Sequence, residues 1–154
     1  MLYIFDLDGT LTPQRPSSTA PFERVLLPGV ADKCAALRKA GHVLAIASNQ
    51  GGARRDKPGR LTIGAIQAQM RWIRQQLGIS AVRFAIGDSR KKPSPAMLVQ
   101  LMSEFATDAA DTVFVGDAET DRQAAEAAGV RFVWASEFFT TAAPLKPGRI
   151  RNDE

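Results

Sequence analysis

Short apolar runs alternate along this chain with segments whose apolar residues recur at helical spacing. The five apolar runs are residues 2–6, 43–47, 82–86, 112–115 and 130–134. Their length and composition are typical of buried strands. Strands that alternate with helices are joined by right-handed crossovers into a parallel sheet. The sequence therefore predicts an α/β fold: a Rossmann-like, five-stranded parallel sheet with helices on both faces.

The segments between the runs carry start and stop signals for helices. The clearest helix is predicted from apolar residues that step by three or four: Ile63, Ile66, Met70, Ile73 and Leu77. Gly78 follows it as a stop signal. Ser94 and Pro95 are predicted as the cap and first position of the next helix. Thr120 and Gln123 have the spacing of a capping box for the helix after strand four. Beyond strand five no period is visible, and the aromatic residues there are expected to pack on the core.

The composition is that of one globular domain. The 154 residues include 45% apolar and 23% charged side chains, with a net charge of +4. A single domain over residues 1–154 is expected, with residues 140–154 loose. No apolar run approaches the ~20 residues of a membrane-spanning helix, and no signal peptide is evident. We therefore expect a cytoplasmic protein with no membrane partner; its oligomeric state is left open.

Acidic residues follow two of the predicted strands. Asp6 and Asp8 end the first run and point to the same side of an extended chain. Asp117 ends the fourth run, and Asp121 lies one helical turn further on. The single Cys and single His of the chain cannot complete a zinc site of nitrogen and sulfur ligands. Converging carboxylates call for a cation, and Mg²⁺ prefers oxygen ligands, so a Mg²⁺ site is predicted.

Four motifs occur in the order FDLDGTLT, SNQGG, KKPSP and VGDAETD, and span residues 3–121. In this order they resemble the motifs of the haloacid dehalogenase superfamily of phosphohydrolases. Within it they look most like the branch of histidinol-phosphate, heptose-bisphosphate and polynucleotide 3′-phosphatases. The zinc-binding loop common in that branch is absent, because the corresponding stretch reads FAIGDSRKKPSP. The resemblance implies that strand one lies at the centre of the sheet, between strands two and four.

The resemblance also implies a role for each motif. Asp6 is expected to be the nucleophile that forms an aspartyl-phosphate, and Asp8 the general acid and base. Lys92 is expected to neutralise the transition state, in preference to Lys91, because the related pattern places Lys directly before Pro. Phosphate is expected to be bound by three residues: Gly9, Ser48 and Asn49.

The metal ligands implied by the resemblance are Asp6, Asp8, Asp117 and Asp121. Asp8 is expected to act through its backbone carbonyl, and Asp121 directly or through water. The function predicted is a Mg²⁺-dependent phosphomonoesterase. An alternative is a phospho-accepting, receiver-like signalling domain. In receiver domains the acceptor ends a later strand of the chain, whereas here the acidic pair with Gly-Thr ends strand one.

The substrate is predicted only by class. Neither loop at which this superfamily inserts a cap domain has room for the ~50 residues that a domain needs. The site should therefore be open, which suits a bulky substrate such as a nucleic-acid end. The substrate is predicted to be either a small phosphorylated metabolite or the 3′-phosphate end of a nucleic acid. Four basic residues of one loop are candidates to contact nucleic-acid phosphates: Arg54, Arg55, Lys57 and Arg60. A solvated basic loop explains them equally well.

Overall fold

The structure is a computed structural model and describes residues 1–14, 23–51 and 62–140. Five parallel strands form one sheet in the order β3-β2-β1-β4-β5. The strands are β1 (Leu2–Phe5), β2 (Val43–Asn49), β3 (Ala81–Ala85), β4 (Thr112–Gly116) and β5 (Arg131–Trp134). The predicted fold class is confirmed, and so is the central position of β1. Each predicted strand differs from the observed one by two residues or fewer at either end.

Helices cover both faces of the sheet. They are α1 (Val30–Lys39), α2 (Ile63–Leu77), α3 (Ala96–Glu104), α4 (Glu119–Ala128) and α5 (Ala135–Thr140), with a 3₁₀ turn at Ala109–Asp111. Buried residues of α1 and α2 belong to one apolar core, on which the aromatic residues of α5 also pack. Buried residues of α3 and α4 belong to a second core on the opposite face. In the described part of the chain, no helix is long and apolar enough to cross a membrane.

The alternation of side chains along each strand separates the two cores. On β1, Phe5 enters the first core with Tyr3 packed against it, whereas Leu2 and Ile4 enter the second. The same period of two places Phe114 of β4 in the second core. A strand with both faces buried reads as an unbroken apolar run, which is why the sequence identified these strands by length and not by alternation. The two cores hold the carboxyl ends of the strands at one rigid edge.

Two helix starts differ from the prediction. The helix predicted to begin at Ser94 and Pro95 has its first residue at Ala96, one residue later. The Ser94 hydroxyl still accepts from the Ala96 amide at 3.2 Å, which is the bond expected of a cap at Ser94. The capping box predicted from Thr120 is wrong: α4 begins at Glu119, and the Asp121 carboxylate accepts from the amide that precedes the helix.

The segment after β5 has no visible period, yet it forms α5. The expected packing of its aromatic residues is confirmed: the ring centroids of Phe138 and Tyr3 are 5.8 Å apart, and those of Phe139 and Phe5 are 6.0 Å apart. The loose tail predicted for 140–154 lies, from residue 141 onward, outside the described residues.

Candidate active site

The acidic residues converge at the carboxyl edge of β1 and β4. Asp6 directly follows β1, and its amide donates to the carbonyl of Val115 on β4 at 2.9 Å. Carboxylate oxygens of Asp6, Asp117 and Asp121 all lie within 4.8 Å of one another. The connections that follow β1 and β4 pass to opposite faces of the sheet. Open α/β sheets bind ligands at such a point. The sequence thus predicted the location of this acidic cluster from strand ends alone.

Lys92 lies at the centre of the cluster. Its Nζ donates to Asp6 Oδ1 at 2.9 Å, to Asp121 Oδ1 at 2.6 Å and to the carbonyl of Ala47 at 2.9 Å. The side chain is only 2% exposed, whereas Lys91 is exposed. Of the two candidate lysines, Lys92 is therefore the one placed beside Asp6.

The side chain of Asn49 holds the backbone of Lys92 in place. Its Oδ1 accepts from the Lys92 amide at 2.9 Å, and its Nδ2 donates to the Lys92 carbonyl at 3.1 Å. Asn49 ends β2, so this pair of bonds fixes the loop that carries Lys92 to the edge of the sheet. The Asn49 side chain thus has a structural partner that the sequence did not indicate.

Burial dominates the electrostatics of this cluster. It raises the pKa of Asp6 from 3.8 to about 8; the charge of Lys92 opposes that shift, and the charge of Asp121 adds to it. Burial also acts to lower the pKa of Lys92, but the charges of Asp6 and Asp121 outweigh it and raise that pKa above its ordinary value. If both carboxylates were ionised, one ammonium would leave net negative charge in a dry environment, which favours the protonated form of Asp6.

Asp121 uses both of its carboxylate oxygens within the protein. Oδ1 accepts from Lys92 Nζ, while Oδ2 accepts from the amides of Asp117 and Ala118 at 3.2 and 3.1 Å. The residue is 1% exposed. Asp121 therefore anchors Lys92 and caps α4 at the same time, which distinguishes it from Asp117.

Asp117 faces the loop that follows β1. Its Oδ2 accepts from Gln14 Nε2. A Cβ at Gly9 would lie 2.0 Å from the same oxygen, and Gly9 has φ of +82°. Only glycine fits there, because any side chain would displace Asp117 and strain the backbone. Gly9 thus allows the close approach of this loop to the acidic cluster.

Asp8 belongs to a second, adjoining cluster. Its Oδ1 accepts from Arg24 Nη1, and its Oδ2 accepts from Gln50 Nε2 at 2.9 Å. Gln50 Nε2 also donates to Ser48 Oγ at 2.8 Å. Sequence reasoning missed both Arg24 and Gln50. Gln50 stands next to Asn49 in the SNQGG motif, but no pattern in the segment before α1 points to Arg24.

A cavity of about 670 Å³ opens beside the acidic cluster. Gly9, Thr10 and Asp117 line its polar side; Leu27, Trp134 and Phe139 are among the residues on its apolar side. The hydroxyl of Thr10 is buried and has no hydrogen-bond partner among the described residues. The basic loop with Arg54, Arg55, Lys57 and Arg60 lies outside the described residues.

The acidic cluster fits a hard divalent cation. Three carboxylates supply oxygen ligands only, which is the donor set that Mg²⁺ prefers. Burial favours the neutral form of Asp6. A bound cation would offset the free-energy cost of ionising this carboxyl group. The residues that could hold it are Asp6, Asp117 and Asp121.

Residues 22–129 match the family described as haloacid dehalogenase-like hydrolase, and the chain belongs to this family. It is 30% identical over 138 residues to the D-glycero-beta-D-manno-heptose-1,7-bisphosphate 7-phosphatase of Pseudomonas putida, covering 84% of this chain and 79% of that protein. It is 34% identical over 124 residues to a phosphoglycolate phosphatase of the same species. That match covers 79% of this chain and 40% of the longer relative.

Among solved structures, the fold resembles D,D-heptose 1.7-bisphosphate phosphatase from B. bronchiseptica, crystallised with magnesium and phosphate. The TM-score is 0.75 at 25% identity, with 96% of this chain and 89% of that chain covered. The predicted family is confirmed, as is the predicted class of enzyme, a phosphoric monoester hydrolase. The receiver-like alternative gains no support from these relatives.

Proposed function

We propose that this protein is a Mg²⁺-dependent phosphomonoesterase that acts through an aspartyl-phosphate formed on Asp6. The observation that carries the proposal is the position of the Asp6 carboxylate. It lies at the carboxyl edge of the central strand, between Lys92 and the carboxylate of Asp117, beside a cavity. That position gives a nucleophile, a fixed positive charge and a set of oxygen ligands at one point.

Negative charge is the main obstacle to attack by a carboxylate on a phosphomonoester dianion. Asp6, Asp117 and the backbone carbonyl of Asp8 would hold a Mg²⁺ ion, with Asp121 acting directly or through water, and the ion would supply charge neutralisation. Lys92 adds its own charge, and its three hydrogen bonds prevent it from moving away. Ser48 and the backbone amides of Gly9 and Asn49 are proposed to bind the phosphate oxygens.

Two displacements at phosphorus complete the reaction. In the first, an Asp6 oxygen forms a bond to phosphorus, the bond to the leaving oxygen breaks, and Asp8 gives that oxygen a proton. In the second, water attacks the phosphorus, Asp8 takes a proton from it, and the Asp6 carboxylate is released with inorganic phosphate. Each proton that Asp8 loses is therefore recovered within one turnover.

The relatives favour a small phosphorylated metabolite as the substrate. The proteins reported above are named for a heptose bisphosphate and for phosphoglycolate, which are both small. The cavity of about 670 Å³ lies within the range of small-molecule sites. The 3′-phosphate end of a nucleic acid is retained as the other predicted substrate class.

A panel of phosphomonoesters tests this function. It should include heptose and other sugar phosphates, phosphoglycolate, p-nitrophenyl phosphate and a 3′-phosphorylated oligonucleotide, compared by kcat/KM. We expect phosphate release that needs Mg²⁺, stops with EDTA, and falls by roughly 10⁴-fold or more in Asp6→Asn. Asp32→Asn, which replaces an exposed carboxylate on α1, is the matched control and should leave the rate unchanged. Activity that survives in Asp6→Asn would exclude the mechanism.

A further inference from the structure

Arg24 is a buried charged residue that has no role in the two displacements proposed above. Its side chain is 1% exposed, and its guanidinium forms an ion pair with the Asp8 carboxylate. The same guanidinium donates through Nη2 to Gln50 Oε1 at 3.3 Å and through Nε to Gln69 Oε1 at 2.8 Å. One side chain thus contacts three polar groups from three separate segments of the chain.

The contacts of Arg24 converge on the carboxyl group of Asp8. Arg24 binds one oxygen directly, and Gln50, which Arg24 also contacts, donates to the other oxygen. Gln50 is fully buried and bonds Ser48 as well. The resulting cluster, which we call the Arg24 cluster, comprises Arg24, Gln50 and Gln69.

Stability alone is a poor explanation for this cluster. A buried ion pair loses about as much free energy by desolvation as it gains by attraction, and apolar replacements are often neutral or stabilising. Gln69 lies on α2 among Ile66, Met70 and Ile73, whose side chains belong to the first core. An apolar residue at position 24 could pack there. The guanidinium instead links this well-packed helix to Asp8.

We propose that Arg24 is a positioning residue for the proton transfers of Asp8; this inference rests on the proposed phosphatase function. A group that gives and takes protons must lie within about 3 Å of the reacting oxygen, in one orientation. Arg24 and Gln50 donate to the two oxygens of the ionised Asp8 carboxylate, so the group that takes the proton from water is held in one orientation. Gln69 fixes the guanidinium from the far side, and Gln50 couples Asp8 to the phosphate-binding residue Ser48. Only arginine has the planar fork that reaches three partners at once.

Leaving groups of different basicity test the proposal. p-Nitrophenolate leaves without a proton, whereas phenolate leaves poorly without one. In Arg24→Met we expect kcat on phenyl phosphate to fall by about 100-fold or more, the range of general acid–base catalysis. Formation of the aspartyl-phosphate from p-nitrophenyl phosphate should be nearly unchanged. Its hydrolysis, which needs Asp8 as the base, should slow, so that a rapid burst of p-nitrophenolate precedes a slow steady state.

Three further variants separate positioning from folding. Gln69→Leu removes only the distant support of the guanidinium and should reproduce the same pattern in weaker form. Arg24→Lys keeps the charge without the fork and should fall between wild type and Arg24→Met. Arg71→Met, an exposed arginine on α2, is the matched control and should behave as wild type.

Two outcomes would overturn the inference. One is an equal loss on both esters with no burst, which would indicate a general structural defect. The other is wild-type kinetics in Arg24→Met and Gln69→Leu. If wild-type protein releases no phosphate from either ester, the proposed function fails; if it does release phosphate, the outcome in the variants concerns Arg24 alone.

Discussion

At the scale of single residues, the site depends on one lysine that compensates two carboxylates. Lys92 bonds Asp6 and Asp121 while almost wholly buried. Removal of one partner from a buried ionic group is costly because the remaining charge has neither solvent nor counter-charge. Lys92 therefore contributes to folding as well as to the proposed chemistry, and the two contributions can be measured separately.

Lys92→Met should destabilise the metal-free protein by about 3–5 kcal/mol, because Asp6 and Asp121 would be left without an ammonium partner. Urea denaturation in EDTA measures the change. Lys91→Met is the matched control, since Lys91 is exposed, and should change the free energy of unfolding by less than about 0.5 kcal/mol. Equal midpoints for the two variants would mean that the Lys92 contacts contribute little to stability.

The raised pKa of Asp6 predicts a pH dependence of stability. Burial moves this pKa from 3.8 to about 8, so between those values the folded protein holds a proton that the unfolded chain has lost. The unfolding free energy of the metal-free protein should then decrease as the pH rises through this window. Asp6→Asn cannot ionise there and keeps Lys92 paired with Asp121, so its unfolding free energy should decrease less. A steeper decrease in Asp6→Asn than in wild type would contradict the assignment.

At the scale of elements, the sequence predicts helices whose apolar residues recur with a clear period and sites that lie at the ends of strands. The bounds of α2 follow from its apolar spacing and Gly78, and the acidic cluster follows because parallel strands end at one edge. Helix α5 was missed because six residues are too few to show a period. Arg24 was missed for another reason: its partners come from three distant segments, and only tertiary structure brings them together.

The start of α4 shows how one close contact determines a helix end. A Cβ at Gly116 would lie 2.6 Å from Asp121 Oδ2, the oxygen that caps the helix. Gly116→Ala should therefore displace this cap and destabilise the fold by about 1–2 kcal/mol. Gly64→Ala on α2 is the control, because among the described residues its added Cβ meets only Thr62 Oγ1, at 3.8 Å.

The two alanine variants should have effects of opposite sign. Gly64→Ala should stabilise the protein by about 0.5–1 kcal/mol, since alanine loses less backbone entropy than glycine in a helix. Thermal unfolding of both variants in parallel measures the difference. Stabilisation by Gly116→Ala would show that Asp121 can move without loss of its helix-capping contacts.

At the scale of the whole molecule, two apolar cores support one charged edge. The cores lie on opposite faces of the sheet, whereas Asp6, Lys92 and Asp121 are buried where the central strands end. Asp6 follows β1 and Asp117 follows β4, so a cation held by both would join two strands at that edge. Binding of the metal should therefore be measurable as stability of the entire fold, without any substrate.

Mg²⁺ should raise the melting temperature of the wild-type protein in proportion to the logarithm of its concentration, once that concentration exceeds the Kd. A ligand at about 100 times its Kd stabilises a folded protein by about 2.7 kcal/mol, which for a chain of this size corresponds to roughly 5–10 °C. Asp117→Asn should lose most of this increase, because it removes one carboxylate from the cluster, while Asp32→Asn should retain it. Differential scanning fluorimetry with Mg²⁺ and with EDTA provides the measurement. A wild-type melting temperature that does not respond to Mg²⁺ would exclude metal binding at this edge, because a cation joining the ends of β1 and β4 cannot leave the stability of the sheet unchanged.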